Sequence, residues 1–226
     1  MPTRSLTPTD SLLLFDLDGT LIDSAPDLAG AANDLRAEHG LAPLPYQALR
    51  PMVGTGARGM LGVAFGLKPG EPDFEPLREA FLARYEQRML HNTRVFEAVA
   101  PVLAQLESAG WRWGIVTNKA MRFAQPIVAA LGLQARAAVV IAGDTTPHAK
   151  PHPEPLLEAA RRVDCPPQRC VYVGDDERDV VAGRAAGMAT VAAAWGYLGQ
   201  GESIEQWGAD QVLLSPAGLL NWLETA

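Results

Sequence analysis

A chain of 226 residues is long enough for one large domain or for a core with a smaller companion. Its 48% hydrophobic and 20% charged residues are those of an ordinary soluble globular protein, and a formal charge of −7 offers neither nucleic acid nor an anionic membrane the basic patch that each attracts. No apolar run reaches membrane-spanning length, the first ten residues lack the basic and apolar regions of a secretory signal, and Cys165 and Cys170 are too few for a disulfide framework, so a cytoplasmic protein with a small-molecule partner is expected.

The first element is the run Leu12-Leu13-Leu14-Phe15, which ends in Asp16-Leu17-Asp18-Gly19-Thr20. An apolar run followed at once by acid, glycine and threonine reads as a buried strand that stops at the sheet edge where open α/β sheets place ligands. Two carboxylates one residue apart repel unless a cation or protons lie between them, so the pair suits a hard, oxygen-preferring metal such as Mg²⁺. The same string also fits an Asp-Gly turn closing a hairpin.

Helical spacing follows Thr20, with Leu28, Ala32 and Leu35 on one face and Gly40 as the C-cap. Met60, Leu61, Ala64 and Phe65 mark a second helix, and a third over residues 74–90 carries Leu77, Phe81 and Tyr85 at four-residue intervals. No strand pattern interrupts residues 24–94. An all-helical insert, a cap, is therefore expected over residues 23–94, with residues 1–22 and 95–226 as the core. Within the cap, Val53-Gly54-Thr55-Gly56-Ala57-Arg58-Gly59 reads in two ways. Its glycines permit close backbone approach with Arg58 meeting an anion at a helix start, or it is a plain interhelical loop with a solvated arginine.

Strands and helices alternate from Phe96 onward. A helix over 99–109 stops at Gly110, and Trp113-Gly114-Ile115-Val116 forms a strand ending at Thr117-Asn118-Lys119. The next helix, over 123–131, closes at Gly132; Pro126 belongs to its first turn or marks a kink. Ala138 to Ala142 gives another strand, leading to Lys150-Pro151, then a helix over 154–163 and the strand Cys170-Val171-Tyr172-Val173. That strand ends in Gly174-Asp175-Asp176-Glu177-Arg178-Asp179, and a helix through Val181 and Ala185 finishes at Gly187. Residues 189–193 and 211–214 make two more strands and 219–223 a last helix. Strands separated by single helices predict an α/β fold with a doubly wound parallel sheet, because parallel neighbours require crossovers.

Polar residues then gather on one edge of that sheet: Asp16 and Asp18, Thr117, Asp175 with Asp176 and Asp179, and Lys150. Together they suit phosphoryl transfer. A carboxylate can attack phosphorus, a second carboxyl can protonate the leaving oxygen, and Mg²⁺ with a lysine and a hydroxyl can hold the phosphoryl oxygens. His148 and His152 have a helical Zn²⁺ spacing, but Pro151 and Pro153 forbid a continuous helix there. Trp195, Tyr197 and Trp207 read as packing or as part of the pocket.

Four motifs resemble those of the haloacid dehalogenase superfamily in its Mg²⁺-dependent phosphatase branch. They are Phe15-Asp16-Leu17-Asp18-Gly19-Thr20-Leu21, Val116-Thr117-Asn118, Lys150-Pro151 and Gly174-Asp175 through Asp179. The resemblance implies that Asp16 is the nucleophile, forming an aspartyl-phosphate, and that Asp18 is the general acid and then the base that activates water. It implies that Thr117 and Lys150 bind the phosphoryl group, that Asp16, the Asp18 carbonyl and Asp175 bind Mg²⁺, and that Thr20, Asn118 and Arg58 serve the substrate. On that view Asp16 stays ionised against Mg²⁺ and Asp18 carries a proton when the leaving group departs, so their surroundings must separate the two. The helical insert matches the first cap type of the family.

Within the family the chain is similar to the phosphoglycolate phosphatase group. It is especially similar to bacterial N-acetylmuramic acid 6-phosphate phosphatases, through Gly56-Ala57-Arg58, Thr117-Asn118-Lys119 with Arg122-Phe123-Ala124, Gly174-Asp175-Asp176 and Trp207-Gly208-Ala209-Asp210. Asp176 departs from the Ser or Thr of many members, and an extra acid there would tighten the metal or act from outside its ligand shell. Asp179, one helical turn past Asp175, falls outside that shell and is expected to hold Lys150. The expected partner is a small phosphorylated metabolite. The rival readings are a phosphotransferase or mutase, a 2-haloacid dehalogenase, which needs neither Asp18 nor Mg²⁺, and a non-catalytic binding protein on the same fold.

Overall fold

Leu12–Phe15 forms strand β1, and its four side chains are all buried. Side chains alternate across a strand, so Leu13 and Phe15 enter the larger core on one face of the sheet while Leu12 and Leu14 enter a second core on the other. The computed structural model describes residues 6–225, so the part of the signal-peptide reading that rests on Met1 to Ser5 lies outside them. Around β1 stand β4 (Arg112–Val116), β5 (Val140–Ile141), β6 (Cys170–Gly174), β7 (Ala189–Ala193) and β8 (Gln211–Leu213), in the order β5-β4-β1-β6-β7-β8 with every pairing parallel. The hairpin alternative for Asp16-Leu17-Asp18 is excluded, since β1 has parallel neighbours on both sides.

Helices cover both faces, as a parallel sheet requires. α5 (Val99–Ser108), α6 (Met121–Ala130) and α9 (Gly218–Leu223) pack into the larger core, and α7 (Glu154–Arg162) and α8 (Glu177–Ala185) supply Leu156, Ala159 and Ala182 to the other. The chain fills one side of β1 with β4 and β5, then crosses to β6, β7 and β8 on the other. Such a reversal of strand order opens a crevice at the C-terminal strand ends. Register aligns those ends: Phe15 stands level with Ile115 and with Val173, so Asp16, Thr117 and Asp175 leave the sheet on the same edge.

One detail differs from the sequence reading and a second narrows it. The strand expected over 138–142 is reduced to Val140–Ile141, although the Ala138 N–H still donates to Trp113 O at 2.7 Å and the Ile115 N–H to Val139 O at 2.9 Å. Pro126 is the sixth of the ten residues of α6, which excludes the first-turn alternative and leaves the other.

Between β2 (Ile22–Asp23) and β3 (Arg94–Val95), paired antiparallel as Ile22 to Val95 and Asp23 to Arg94, lie α1 (Ala25–Glu38), α2 (Tyr46–Leu49), a 3₁₀ turn Arg50–Thr55, α3 (Gly56–Phe65) and α4 (Phe74–Arg88). Gly40 follows the end of α1 with φ +68°, the left-handed position that closes a helix. Leu28, Phe81 and Tyr85 are buried in the same core as the sheet residues.

Asp27, fully buried on α1, ties the start of this helical segment to its exit. Its carboxylate accepts from the Asn92 backbone at 2.9 Å, the Asn92 side chain at 3.1 Å, the Thr93 backbone at 2.9 Å and the Thr93 hydroxyl at 2.9 Å. Removing this acceptor would strand both buried Thr93 donors at once, so Asp27→Ala should lower unfolding free energy by about 3 kcal/mol. Chemical denaturation checks this, and a change below about 1 kcal/mol would show the donors find water instead.

Candidate active site

Asp16 is the first residue past β1, and its backbone N–H donates to Val173 O at 2.9 Å, which holds the residue against β6. Lys150 Nζ lies 2.9 Å from Asp16 Oδ1 and 2.7 Å from Asp179 Oδ1. An ammonium has three N–H donors. Those of Lys150 go to Asp179, to Tyr172 Oη at 2.6 Å and to Val116 O at 3.1 Å. Asp16 Oδ1 is thus ion-paired yet buried with no aligned hydrogen bond, an acceptor left over. Burial works against the charge of Lys150, but Asp16 and Asp179 outweigh it and its pKa is raised.

Asp175 is buried at the end of β6 with both oxygens oriented. Thr20 donates its hydroxyl to Oδ1 at 2.8 Å, and the Tyr197 N–H donates to Oδ2 at 2.7 Å. Two glycines form its cradle: a Cβ at Gly19 (φ +88°) would stand 2.2 Å from Asp175 Oδ2, and one at Gly196 2.2 Å from Asp175 Cβ. Asp16, Asp175 and Asp179 bring carboxylate oxygens within 4.8 Å of one another. Burial pushes the Asp16 carboxyl up to about 6, with Asp179 and Asp18 adding to it and Lys150 opposing; burial, with Asp16 and Asp179, pushes Asp175 well above the carboxylate range.

Desolvated, mutually repelling carboxylates with one unbonded oxygen are short of positive charge, and an all-oxygen donor set suits a hard divalent cation. These residues therefore fit a metal, with Asp16 and Asp175 the natural donors. The oxygens of Asp179 are already engaged, Oδ1 by Lys150 and Oδ2 by the Asp176 N–H at 3.1 Å.

Asp18 turns its side chain away from that cluster. Its Oδ1 accepts from Lys119 Nζ at 3.0 Å and, in a short hydrogen bond, from Ser24 Oγ. A buried cation, rather than an apolar wall, faces it. Burial opposes the charge of Lys119 too, yet Asp18 and the neighbouring Tyr85 keep its pKa raised. Sequence reasoning expected Asp16 to stay ionised against Mg²⁺, and the protein by itself disfavours that charge, so a bound cation would favour it.

The remaining sequence candidates separate clearly. Thr117 is buried, with its hydroxyl accepting from the Lys119 N–H at 3.1 Å, and it lines the cavity. Asn118 joins two loops, its side chain donating to Lys150 O and accepting from the Lys150 N–H, both at 2.9 Å. Thr20 is fully buried behind Asp175 and does not reach the cavity wall. Asp176 stays outside the acid cluster: it caps α8 by accepting from the Arg178 N–H at 2.9 Å and grips the Arg178 guanidinium at 2.7 and 2.8 Å. Capping is work a Ser or Thr also does. Arg58, exposed in the first turn of α3, lines the cavity from the opposite side.

That cavity, about 310 Å³, lies between the strand ends and the helical segment. Asp16, Asp18, Thr117, Lys150 and Asp175 form its floor, and Val53, Gly54, Arg58, Phe81, Leu82 and Tyr85 its roof. Its size suits a small-molecule ligand. Among the described residues no helix is long and apolar enough to cross a membrane. His148 and His152 lie outside the cavity with ring centroids 4.3 Å apart, and the buried Cys165 and Cys170 thiols, 3.7 Å apart, are free.

Comparison with known proteins fits this geometry. The model of the haloacid dehalogenase-like hydrolase family matches residues 13–193. The chain belongs to this family. Among haloacid dehalogenase-like relatives, N-acetylmuramic acid 6-phosphate phosphatase of Pseudomonas aeruginosa is 42% identical over 214 residues, 95% of each chain. Phosphoglycolate phosphatase of Xanthomonas campestris pv. campestris is 49% identical over 208 residues, 92% of this chain and 93% of the relative. The crystal structure of a predicted phosphoglycolate phosphatase from Haemophilus somnus 129PT superposes with a TM-score of 0.82 at 28% identity, covering 94% of this chain and 97% of that one.

Tyr172, Ser24 and Arg178 had no assigned role in the sequence, and Lys119 entered only as part of a motif. A polar-tipped Tyr172 inside an otherwise aliphatic buried strand was the available signal, because a buried tyrosine hydroxyl needs a partner.

Proposed function

We propose that this haloacid dehalogenase-like hydrolase is a Mg²⁺-dependent phosphomonoesterase acting on a small phosphorylated metabolite, with residues 23–94 as a cap over the reacting centre. The observation that carries this is Asp16: a carboxylate oxygen buried at the sheet edge, ion-paired to Lys150 and left without an aligned hydrogen bond. Asp16 attacks phosphorus, and the ester P–O bond breaks as the carboxyl-phosphate bond forms. The departing oxygen takes a proton from Asp18. In the second half Asp18 takes a proton from water, the water oxygen attacks phosphorus, and free phosphate leaves a regenerated Asp16.

Lys150 and Thr117 hold the phosphoryl oxygens, and Asp179 and Tyr172 fix the lysine in place. Asp16, Asp175 and the Asp18 carbonyl would hold Mg²⁺, which offsets the negative charge of nucleophile and phosphate and so permits their approach. The relatives' names make 2-phosphoglycolate and N-acetylmuramic acid 6-phosphate the leading substrates. A phosphotransferase would pass the phosphoryl group to an acceptor instead of water, and a dehalogenase would have no use for Asp18.

Free phosphate measured with these two compounds and a set of sugar phosphates tests the reading. Release should require Mg²⁺, stop with a chelator and return when Mg²⁺ is restored. Turnover that persists in chelator, or phosphate that appears only on an added acceptor, would contradict it.

A further inference from the structure

Arg178 joins the metal end of the site to the roof of the cavity. Its guanidinium is planted by Asp176, with Nε donating to Oδ1 at 2.7 Å and Nη2 to Oδ2 at 2.8 Å, and Asp176 is itself fixed as the N-cap of α8. From that mounting Nη2 also donates to Gly54 O at 2.5 Å, across 124 residues of chain. The loop backbone packs on this pair: a Cβ at Gly54 would lie 3.4 Å from Asp176 Oδ2, in van der Waals contact.

The segment bearing Gly54 is stiff. Thr55 Oγ1 donates to Met52 O at 2.6 Å, and a Cβ at Gly59 would stand 1.6 Å from that same hydroxyl oxygen, so the 3₁₀ turn and the first turn of α3 are packed as one piece. Its other end has a second anchor, where Arg50 donates to Gly196 O at 3.2 Å with its guanidinium 4.9 Å from the Tyr197 ring centroid. Arg58 rides on this piece into the cavity wall. Its position over the phosphoryl site is set where the turn is pinned to the core.

We propose that Arg178 is a positioning residue for substrate selection, holding the turn over residues 50–59 so that Arg58 meets the leaving group at a fixed distance from Asp16. This rests on the phosphatase reading above. Arg178 borders the cavity, but its Nε and Nη2 are spent on Asp176 and Gly54 O, so its loss acts on substrates large or charged enough to reach Arg58 and spares those that are not.

The test compares Arg178→Ala, Asp176→Asn and Arg58→Ala on the better of 2-phosphoglycolate and N-acetylmuramic acid 6-phosphate and on p-nitrophenyl phosphate, with Mg²⁺ throughout. Losing a hydrogen bond from a charged donor predicts that Arg178→Ala lowers kcat/KM for the natural substrate by about tenfold or more, mostly through KM, and for p-nitrophenyl phosphate by less than about threefold. Asp176→Asn should shift the ratio in the same direction. Adding Arg178→Ala to Arg58→Ala should lower natural-substrate turnover no further, the non-additivity of residues acting through one contact.

Equal losses on both substrates, or additive losses in the double variant, would overturn the proposal. Amide hydrogen exchange over residues 53–58 without substrate gives a second readout, expected to rise in Arg178→Ala. Unchanged exchange refutes the positioning role even if no substrate is turned over, whereas a wild-type protein that releases no phosphate refutes the phosphatase reading.

Discussion

Asp16→Asn is expected to abolish phosphate release, lowering kcat by at least about 10⁴-fold, while the protein stays folded. An amide is too weak a nucleophile to form the carboxyl-phosphate bond, and no other side chain stands in its place at the end of β1. Folding survives because burial and the neighbouring acids make charge on Asp16 unfavourable. Its replacement by a neutral group of the same shape relieves that repulsion. The variant should melt no lower than wild type in chelator, and should gain less from added Mg²⁺, since one donor is weakened. Thermal melts with and without Mg²⁺ check both halves; a variant that melts far lower without metal would mean that the Lys150 contact outweighs the crowding.

Lys150→Met has the opposite signature, losing activity and stability together. Methionine keeps the volume but withdraws the ammonium that meets Asp16 at 2.9 Å and Asp179 at 2.7 Å, and the donor for Val116 O and Tyr172 Oη. Removing one partner of a buried ion pair leaves uncompensated charge, which lowers stability by about 3–5 kcal/mol. Because a divalent cation can neutralise the same acids, Mg²⁺ should restore more stability to this variant than to wild type. Turnover should fall by about 10²–10³-fold, the usual effect of losing a fixed donor to developing phosphoryl charge. Denaturant melts in chelator and in Mg²⁺ provide the measurement, and equal stabilisation of both proteins by Mg²⁺ would show that Lys150 and the metal do not share those acids.

The sheet and its acids were legible because a parallel sheet converts a local pattern into a global position. An apolar strand that ends in a polar residue places that residue on the common edge, so Asp16, Thr117 and Asp175 could be assembled without knowing any contact between them. The helical segment was legible from the absence of strand pattern. The contact of Asp179 with Lys150, 29 residues away, was anticipated, but other contacts between partners far apart in sequence stayed hidden. Asp27 meets Asn92 across 65 residues, Arg178 meets Gly54 across 124, and Lys119 meets Asp18 across 101. Asp176 was read as an extra acid near the metal that would tighten it or act from outside its ligand shell; that it caps a helix and grips an arginine was decided by which way the chain turns after β6. The orphaned oxygen of Asp16 could be found only by counting the donors of Lys150, which needs coordinates.

Turnover by this route requires that Asp16 become phosphorylated. Wild-type protein mixed with Mg²⁺ and a hydrolysed substrate, quenched in acid within the first turnovers and treated with borohydride, should yield the peptide containing Asp16 with that carboxyl reduced to an alcohol, as mass spectrometry reads it. Asp16→Asn should yield none. Reduction at a different residue, or no modified peptide from a protein that is releasing phosphate, would contradict the account.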